Sequence, residues 1–341
     1  MAGEGRGVRA GLMRAGMSVV SPVYSAAMRV RNWKFDRGIG VQALPRPVIS
    51  VGNVTTGGTG KTPVVQWLCE RLREAGERPA VLMRGYKAAS GAQGDEQAML
   101  ESLLNRADAP AVIIEANVDR HVGGLRVLAE RPEVSVFVMD DGFQHRRLGR
   151  DFDLVLIDAS NPFGYGRVLP RGLLREPMSG LRRADAFLVT RATRGDVSPI
   201  AERLRRFNEG APVFRCDHVH AGLRTADGVV REPPAGRAYA VAGIGNPEAF
   251  GRQFEDLAGH RWFDDHWNYS KGDVEAIVSE ARGAGAGYVV TTEKDWVKMG
   301  RWISTTAGMP VYRAELAIRF AGEDEGELLD LIRARLRRVR G

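Results

Sequence analysis

From residue 45 onward the chain alternates short apolar runs with longer segments whose apolar positions recur at helical spacing. PVISVGN at 47–53 reads as a strand leading into a glycine-rich turn, and 61–76 reads as a helix through Val64, Val65, Leu68 and Leu72. A second strand, RPAVLMRGY, precedes a helix at 96–105, a strand at 109–116 and the helical run DRHVGGLRVLAE. Strands follow at 134–142, 151–159 and 184–192, with a helix near 198–209. These strands are unbroken Val, Ile and Leu rather than alternating, as in strands buried on both faces, so the expected fold is α/β with a mostly parallel, helix-covered sheet.

After 209 the pattern loosens. Residues 218–237 read as a hairpin about Asp227-Gly228 followed by Pro233-Pro234, a linker. Strands at 238–246 and 287–295 and near MPVYRAEL, with a helix among them, predict a second, smaller α/β unit. For 341 residues two domains are the starting expectation.

Charge adds a class of partner. The net charge is +7, which favours an anionic ligand but does not choose between nucleotide, nucleic acid and acidic lipid. Residues 5–35 contain no acid and carry Arg6, Arg9, Arg14, Arg29, Arg31 and Lys34. The apolar stretch between Arg14 and Arg29 is 14 residues, short of the roughly 20 needed to span a bilayer. It reads as a basic-flanked amphipathic segment suited to an anionic membrane interface, with a helix docked on the core as the plainer alternative. The basic C-terminal end follows Glu323, Asp324, Glu325 and Glu327, an order that complements a helix dipole and reads as a solvated terminal helix. Cys69 and Cys216 stand far apart, in no metal-ligand spacing and with no disulfide framework, which fits the cytosol. No stripe of interleaved aromatic and basic residues marks a nucleic-acid surface.

The strongest chemical signal is Thr55-Thr56-Gly57-Gly58-Thr59-Gly60-Lys61-Thr62, between a strand and a helix. Backbone N–H groups reach phosphate oxygens only where side chains are nearly absent, and the following helix adds the positive end of its dipole. Lys61 then reaches the β and γ phosphates, and the Thr62 hydroxyl binds Mg²⁺. The strict pattern G-x-x-x-x-G-K-[ST] asks for Gly where Thr55 stands, a one-residue departure offset by the two added glycines. A P-loop also needs an acid at the end of a neighbouring strand; Asp140 and Asp141 close VSVFVMDD and are the candidates for holding the metal, against a pair of capping or solvated loop acids. The expectation is a P-loop NTPase-like domain at 37–217, after a basic segment at 1–36. The linker at 218–237 and the smaller domain at 238–341 follow, with substrate in the cleft between the two domains.

Guanine specificity would carry an N-K-x-D run, and Thr292-Glu293-Lys294-Asp295 lacks that order, so a GTP switch is disfavoured. Gly243-x-Gly245-Asn246 follows a strand but has no third glycine and no acid at the ribose position, and reads as a structural turn. A regulatory P-loop ATPase acting on a protein partner is the rival of a kinase reading, distinguished by stimulation with protein rather than a small acceptor.

The run VGNVTTGGTGKTPVV, RGY at 84–86, GDE at 94–96, DDGFQHRRLGRDFDLVLIDA from Asp140, LLREP at 173–177, FDDHWNY at 263–269 and TEKDWVKM at 292–299 together resemble the tetraacyldisaccharide 4'-kinase family. The likeness covers about residues 20–320 in the family's order and accounts for the departure at Thr55. It implies ATP- and Mg²⁺-dependent transfer of the γ-phosphoryl group to the 4'-hydroxyl of a tetraacylated glucosamine disaccharide 1-phosphate, a glycolipid, at the cytoplasmic face of the inner membrane. Asp95 matches the family's proposed base and His266 its proposed partner, which orients the carboxylate or tunes it by a hydrogen bond. Beside those roles stand plainer ones, a helix N-cap for Asp95 and a structural imidazole for His266. Trp267 stands where the family has a second His, and Leu173 begins LLREP where it has P-L-R-E-P. Gln144 and His145 are candidates for nucleotide or substrate contact, and Arg171 and Arg175 for the lipid's 1-phosphate.

Overall fold

The computed structural model describes residues 8–85, 94–105, 111–225, 230–231, 235–265, 267–303 and 308–340. They form two compact units that interleave along the chain: 1–86 with 112–218 and 318–341, and 87–111 with 219–317. The sequence suggested contiguous segments. In the structure the 87–111 stretch groups with the second unit and the C-terminal helix with the first.

In the first unit, α1 (Val8–Asp36) precedes β1 (Val48–Asn53), α2 (Lys61–Glu74) and β2 (Pro79–Met83). Then come β3 (Ile113–Ala116), α4 (Arg120–Glu130), β4 (Val136–Asp140), β5 (Phe152–Asp158), β6 (Ala186–Thr190), α5 (Ser198–Arg205) and the start of β7 (Val213–Arg224). The strands lie in the order β3-β2-β4-β1-β5-β6-β7, all parallel. Both faces are covered, which is why the strands are apolar without alternation. Val48, Leu82, Phe137 and Met139 pack with Val127 of α4 in one core. Further along the same face Val155, Ile157, Phe187 and Val189 pack with Ile200 and Leu204 of α5, while Ile49, Val51, Val138 and Leu154 lie on the opposite face and are as fully buried. The terminal helix α9 (Asp324–Arg340) belongs to this unit and is not simply solvated. Leu328, Ile332 and Leu336 recur every four residues on one buried side, and Trp67 Nε1 of α2 donates to Glu325 at 2.7 Å.

In the second unit, α3 (Asp95–Leu104) joins the end of β7, β8 (Val230–Arg231), β9 (Ala238–Ala242), α6 (Pro247–Gly251) and β10 (Leu257–Trp262). These continue into α7 (Lys271–Gly283), β11 (Tyr288–Thr292), α8 (Glu293–Ile303) and β12 (Val311–Phe320). Its strands run β10-β9-β11-β12, parallel, and β8 pairs antiparallel with the end of β7 through Leu223↔Arg231 and Arg224↔Val230. The hairpin is therefore present, although the Asp227-Gly228 turn lies outside the described residues. α7 starts with a reciprocal cap: Ser270 Oγ accepts from the Asp273 N–H while the Asp273 carboxylate accepts from the Ser270 N–H.

Candidate active site

The glycine-rich loop leaves β1, at the centre of the first unit's sheet, and ends at the first turn of α2. A Cβ at Gly57 or Gly58 would meet nothing within 4 Å, so the loop's amides border open space. Gly60, at the N-cap of α2, takes φ +77, and a Cβ there would lie 2.1 Å from the His218 ring. Both the backbone conformation and the imidazole require glycine at this position. Thr56 N–H donates to the Leu173 carbonyl at 2.8 Å, while Thr55 bridges to Leu174, so the loop's start is pinned by the LLREP segment. Its far side is held by Thr190 Oγ1, which donates to the Thr59 carbonyl at 3.2 Å, and by Arg191, which donates to the Gly58 carbonyl at 3.2 Å.

Lys61 is already aimed. Its ammonium donates to Asn53 Oδ1 at 3.2 Å and lies 3.4 Å from Asp141 Oδ1. Asp141 is also gripped by Arg175, whose NH1 donates to both carboxylate oxygens at 2.8 and 2.7 Å. Burial pushes the Asp141 carboxyl up, but the charges of Lys61 and Arg175 outweigh it and hold it below the usual carboxylate range. Asp141 adopts φ +50, an uncommon conformation for a residue with a side chain, which turns its carboxylate toward the loop. Asp140, the last residue of β4, is in register with Val51 of β1. Its carbonyl accepts from the buried Arg120 at 2.9 Å. Thr62 sits in the first turn of α2. A hydroxyl and two adjacent carboxylates are oxygen donors of the kind Mg²⁺ takes together with phosphate oxygens and water, so the residues fit that ion. Among the described residues no group of three or more His, Cys, Asp or Glu forms a protein-only metal cage, which such a site does not need.

A second layer fixes the acidic turn. Gln144 Nε2 donates to the Asn53 carbonyl at 2.9 Å and to Glu176 at 3.0 Å. Glu176, almost wholly buried, also accepts from Asn32 of α1 at 2.7 Å and from Arg183 at 2.9 and 3.0 Å. His145 is pushed down to about 4 by burial, with Arg120 and Arg150 adding to the effect, so its imidazole is neutral at pH 7. Gln144 thus serves the turn's architecture. Arg175 is engaged by Asp141, whereas Arg171 donates to Ser18 of α1 at 3.0 Å.

The structure brings the loop, Lys61 and Asp141 together. Asp95 is the first residue of α3 with Gly94 at the N-cap, so the capping position belongs to the glycine. Its side chain, like His266, lies outside the described residues. Both fall in the second unit, although the sequence suggested the P-loop domain for Asp95. Sequence reasoning missed Asn53, Glu176, Arg191 and His218. The first is foreshadowed by its place between strand and loop, while His218 carries no local signal.

A parallel sheet whose central strand feeds a phosphate-sized loop, with a lysine at the head of the next helix and an acid at the end of the adjacent strand, defines a P-loop NTPase-like protein. The family model for tetraacyldisaccharide-1-P 4'-kinase matches residues 13–337. A tetraacyldisaccharide 4'-kinase of Geobacter metallireducens is 38% identical over 314 residues, covering 86% of this chain and 90% of that protein. One from Geobacter sulfurreducens is 36% identical over 341 residues, covering 93% and 92%. The crystal structure of LpxK from Aquifex aeolicus, described as an "apo" form in complex with ATP, matches with TM-score 0.75 at 27% identity, covering 95% of this chain and 99% of that one. This chain belongs to the tetraacyldisaccharide-1-P 4'-kinase family.

Proposed function

We propose that the protein transfers the γ-phosphoryl group of ATP to the 4'-hydroxyl of a tetraacyldisaccharide 1-phosphate, giving lipid IVA. The observation that carries the reading is Lys61, held between Asn53 and Asp141 at the head of α2, in a chain that matches this kinase family over nearly its whole length. Phosphoryl transfer asks the protein mainly for positioning and for charge complementary to the transferring group. The amides of 56–60 cradle the phosphate chain, and Lys61 follows the β and γ oxygens as charge builds on them. Thr62 with Asp140 or Asp141 would hold Mg²⁺, which neutralises the phosphate oxygens when bound. In this reading Asp95 accepts the proton of the attacking hydroxyl and His266 orients it. The comparisons lend no support to a regulatory ATPase acting on a protein.

The proposal extends to where the protein works. Among the described residues no helix is long and apolar enough to cross a membrane. One side of α1 is docked. Ser21 Oγ donates to the Val168 carbonyl at 3.0 Å, Tyr24 OH to the Arg175 carbonyl at 2.6 Å and Arg31 to the Gln144 carbonyl at 2.6 Å. Val23, Val30 and Trp33 on the other side are 68, 66 and 54% exposed. An exposed apolar stripe on a basic helix suits peripheral attachment to the anionic cytoplasmic face of the inner membrane, where a substrate with four acyl chains resides. Beside it, a cavity of about 380 Å³ lined by Ser21, Pro22, Val168, Met178, Arg167 and Arg171 pairs apolar walls with positive charge, as an anionic amphiphile requires. Nothing in this reading involves nucleic acid.

The test is transfer of label from γ-³²P-ATP with Mg²⁺, with and without tetraacyldisaccharide 1-phosphate. Label is expected on the lipid, and acceptor-independent hydrolysis alone would sink the reading. For the membrane step, Val23→Asp/Val30→Asp is expected to lower co-sedimentation with anionic vesicles by roughly tenfold or more, from the cost of placing charge at the interface. Equal sedimentation of variant and parent would place the contact elsewhere.

A further inference from the structure

The TEKDWVKM run takes no part in the chemistry described above, yet its helix is tethered to the FDDHWNY segment at three points. Lys294 Nζ pairs with the Asp265 carboxylate at 2.8 Å. One turn further along α8, Lys298 Nζ donates to the Trp267 carbonyl at 3.1 Å. One turn beyond that, Trp302 Nε1 donates to the Tyr269 carbonyl at 3.2 Å. Positions 294, 298 and 302 form one helix face, spaced about 6 Å apart. The Trp267 N–H donates to the Asp264 carbonyl at 3.1 Å, closing a turn, and the first two tethers of α8 fall on residues 265 and 267, either side of position 266 in the chain.

The start of the same helix holds two other segments. Asp295, fully buried, accepts from the Gly243 N–H at 2.9 Å and from Thr292 Oγ1 at 2.6 Å. A Cβ on Gly243 would lie 3.0 Å from Tyr269 OH and 3.3 Å from the Asp264 carbonyl, so the Gly243 turn and the 264–269 segment pack without spare room. Glu293 accepts from Arg313 at 2.7 Å, and the same guanidinium NH1 donates at 2.7 Å to Ser102 of α3, the helix that opens at Asp95. Both partners are nearly buried, so the joint between α3 and α8 is shielded from water.

We infer that α8 is a positioning helix for the phosphoryl-transfer reaction. Its Lys294, Lys298 and Trp302 set the path of the chain on either side of His266, and its Glu293, through Arg313 and Ser102, sets the helix that begins at Asp95. This rests on the reading above, in which Asp95 and His266 serve the acceptor hydroxyl. Each exposed tether is weak alone, since a solvent-facing ion pair contributes little. Three from one helix face together specify a path, and a displacement of about 1 Å at a reacting group lowers a rate by up to about a hundredfold.

The experiment compares the parent, Lys294→Met/Lys298→Met, Lys294→Arg/Lys298→Arg and His266→Ala in the lipid phosphorylation assay, with melting temperatures for each. The Met pair is expected to lower kcat about tenfold or more while KM for ATP stays within about twofold, because nucleotide is held by other residues. The Arg pair keeps the charges and recovers part of the rate. On the His266→Ala background the Met pair adds little, because both act through one loop. A Met pair with parental kcat, or with an equal further loss on the His266→Ala background, overturns the inference while the kinase reading stands. A parent that labels no lipid sinks the kinase reading and this inference with it. Should the Met pair melt early, the single change Lys294→Met carries the same comparison.

Discussion

Lys61→Met is expected to lower phosphoryl transfer at saturating ATP by about 10²–10³-fold, the usual consequence of removing one preorganised charge from a developing oxyanion. The ammonium is fixed by Asn53 Oδ1 and Asp141, and it shares Asp141 with Arg175. Reorganisation at the moment of reaction is therefore small, which is where the catalytic advantage of a fixed charge lies. Arginine is not a substitute, because its planar fork is longer and cannot occupy the same point between a side-chain amide and a carboxylate. The loss of Lys61 should leave the fold intact, since Arg175 remains on Asp141. Single-turnover transfer of γ-label, with a melting curve as control, checks this; a loss below tenfold would mean that the phosphate chain is gripped elsewhere.

Asp295→Ala is expected to destabilise the protein by about 2–4 kcal/mol, because it strips partners from a buried backbone N–H and a half-buried hydroxyl at once. The carboxylate joins the Gly243 turn to the start of α8. Tyr269 lies against it, and burial together with the Asp295 charge pushes that phenol well above its ordinary range. For a two-unit chain the change corresponds to a fall in Tm of roughly 5–10 °C. Differential scanning calorimetry reads it directly, and an unchanged melting profile would show that the Gly243 turn is held by its own packing. Gly243-x-Gly245-Asn246 is in this light a clamped structural turn, as its missing third glycine suggested.

The phosphate loop, the strands around it and the acidic pair were legible in the residues because each is a local pattern. A strand–glycine–lysine run has one chemical use, and unbroken apolar strands are buried on both faces wherever they occur. Family membership was legible for the same reason, from short motifs in a set order, and the comparisons bear it out. Contacts distant in sequence were not legible. Nothing near Asp95 says that α3 packs with elements of the second unit, and nothing near residue 324 says that α9 returns to the first. His218 stands 158 residues from the Gly60 carbonyl that its ring meets, and the Arg175 grip on Asp141 spans 34 residues. The α9 segment read as solvent-facing because its charges dominate the composition, yet Leu328, Ile332 and Leu336 are buried and two of its acids are engaged, Glu325 by Trp67 and Asp324 by Arg215.

Local chemistry thus follows from residue order: where glycines admit phosphate, where a helix begins, which strands must be covered. Which segments share a unit, which of two neighbouring aspartates faces the lysine, and which helix is tied to residues 265, 267 and 269 were settled in three dimensions. Those outcomes depend on burial and register between segments far apart in the chain, and the energy of such contacts belongs to pairs of surfaces rather than to any one stretch of residues.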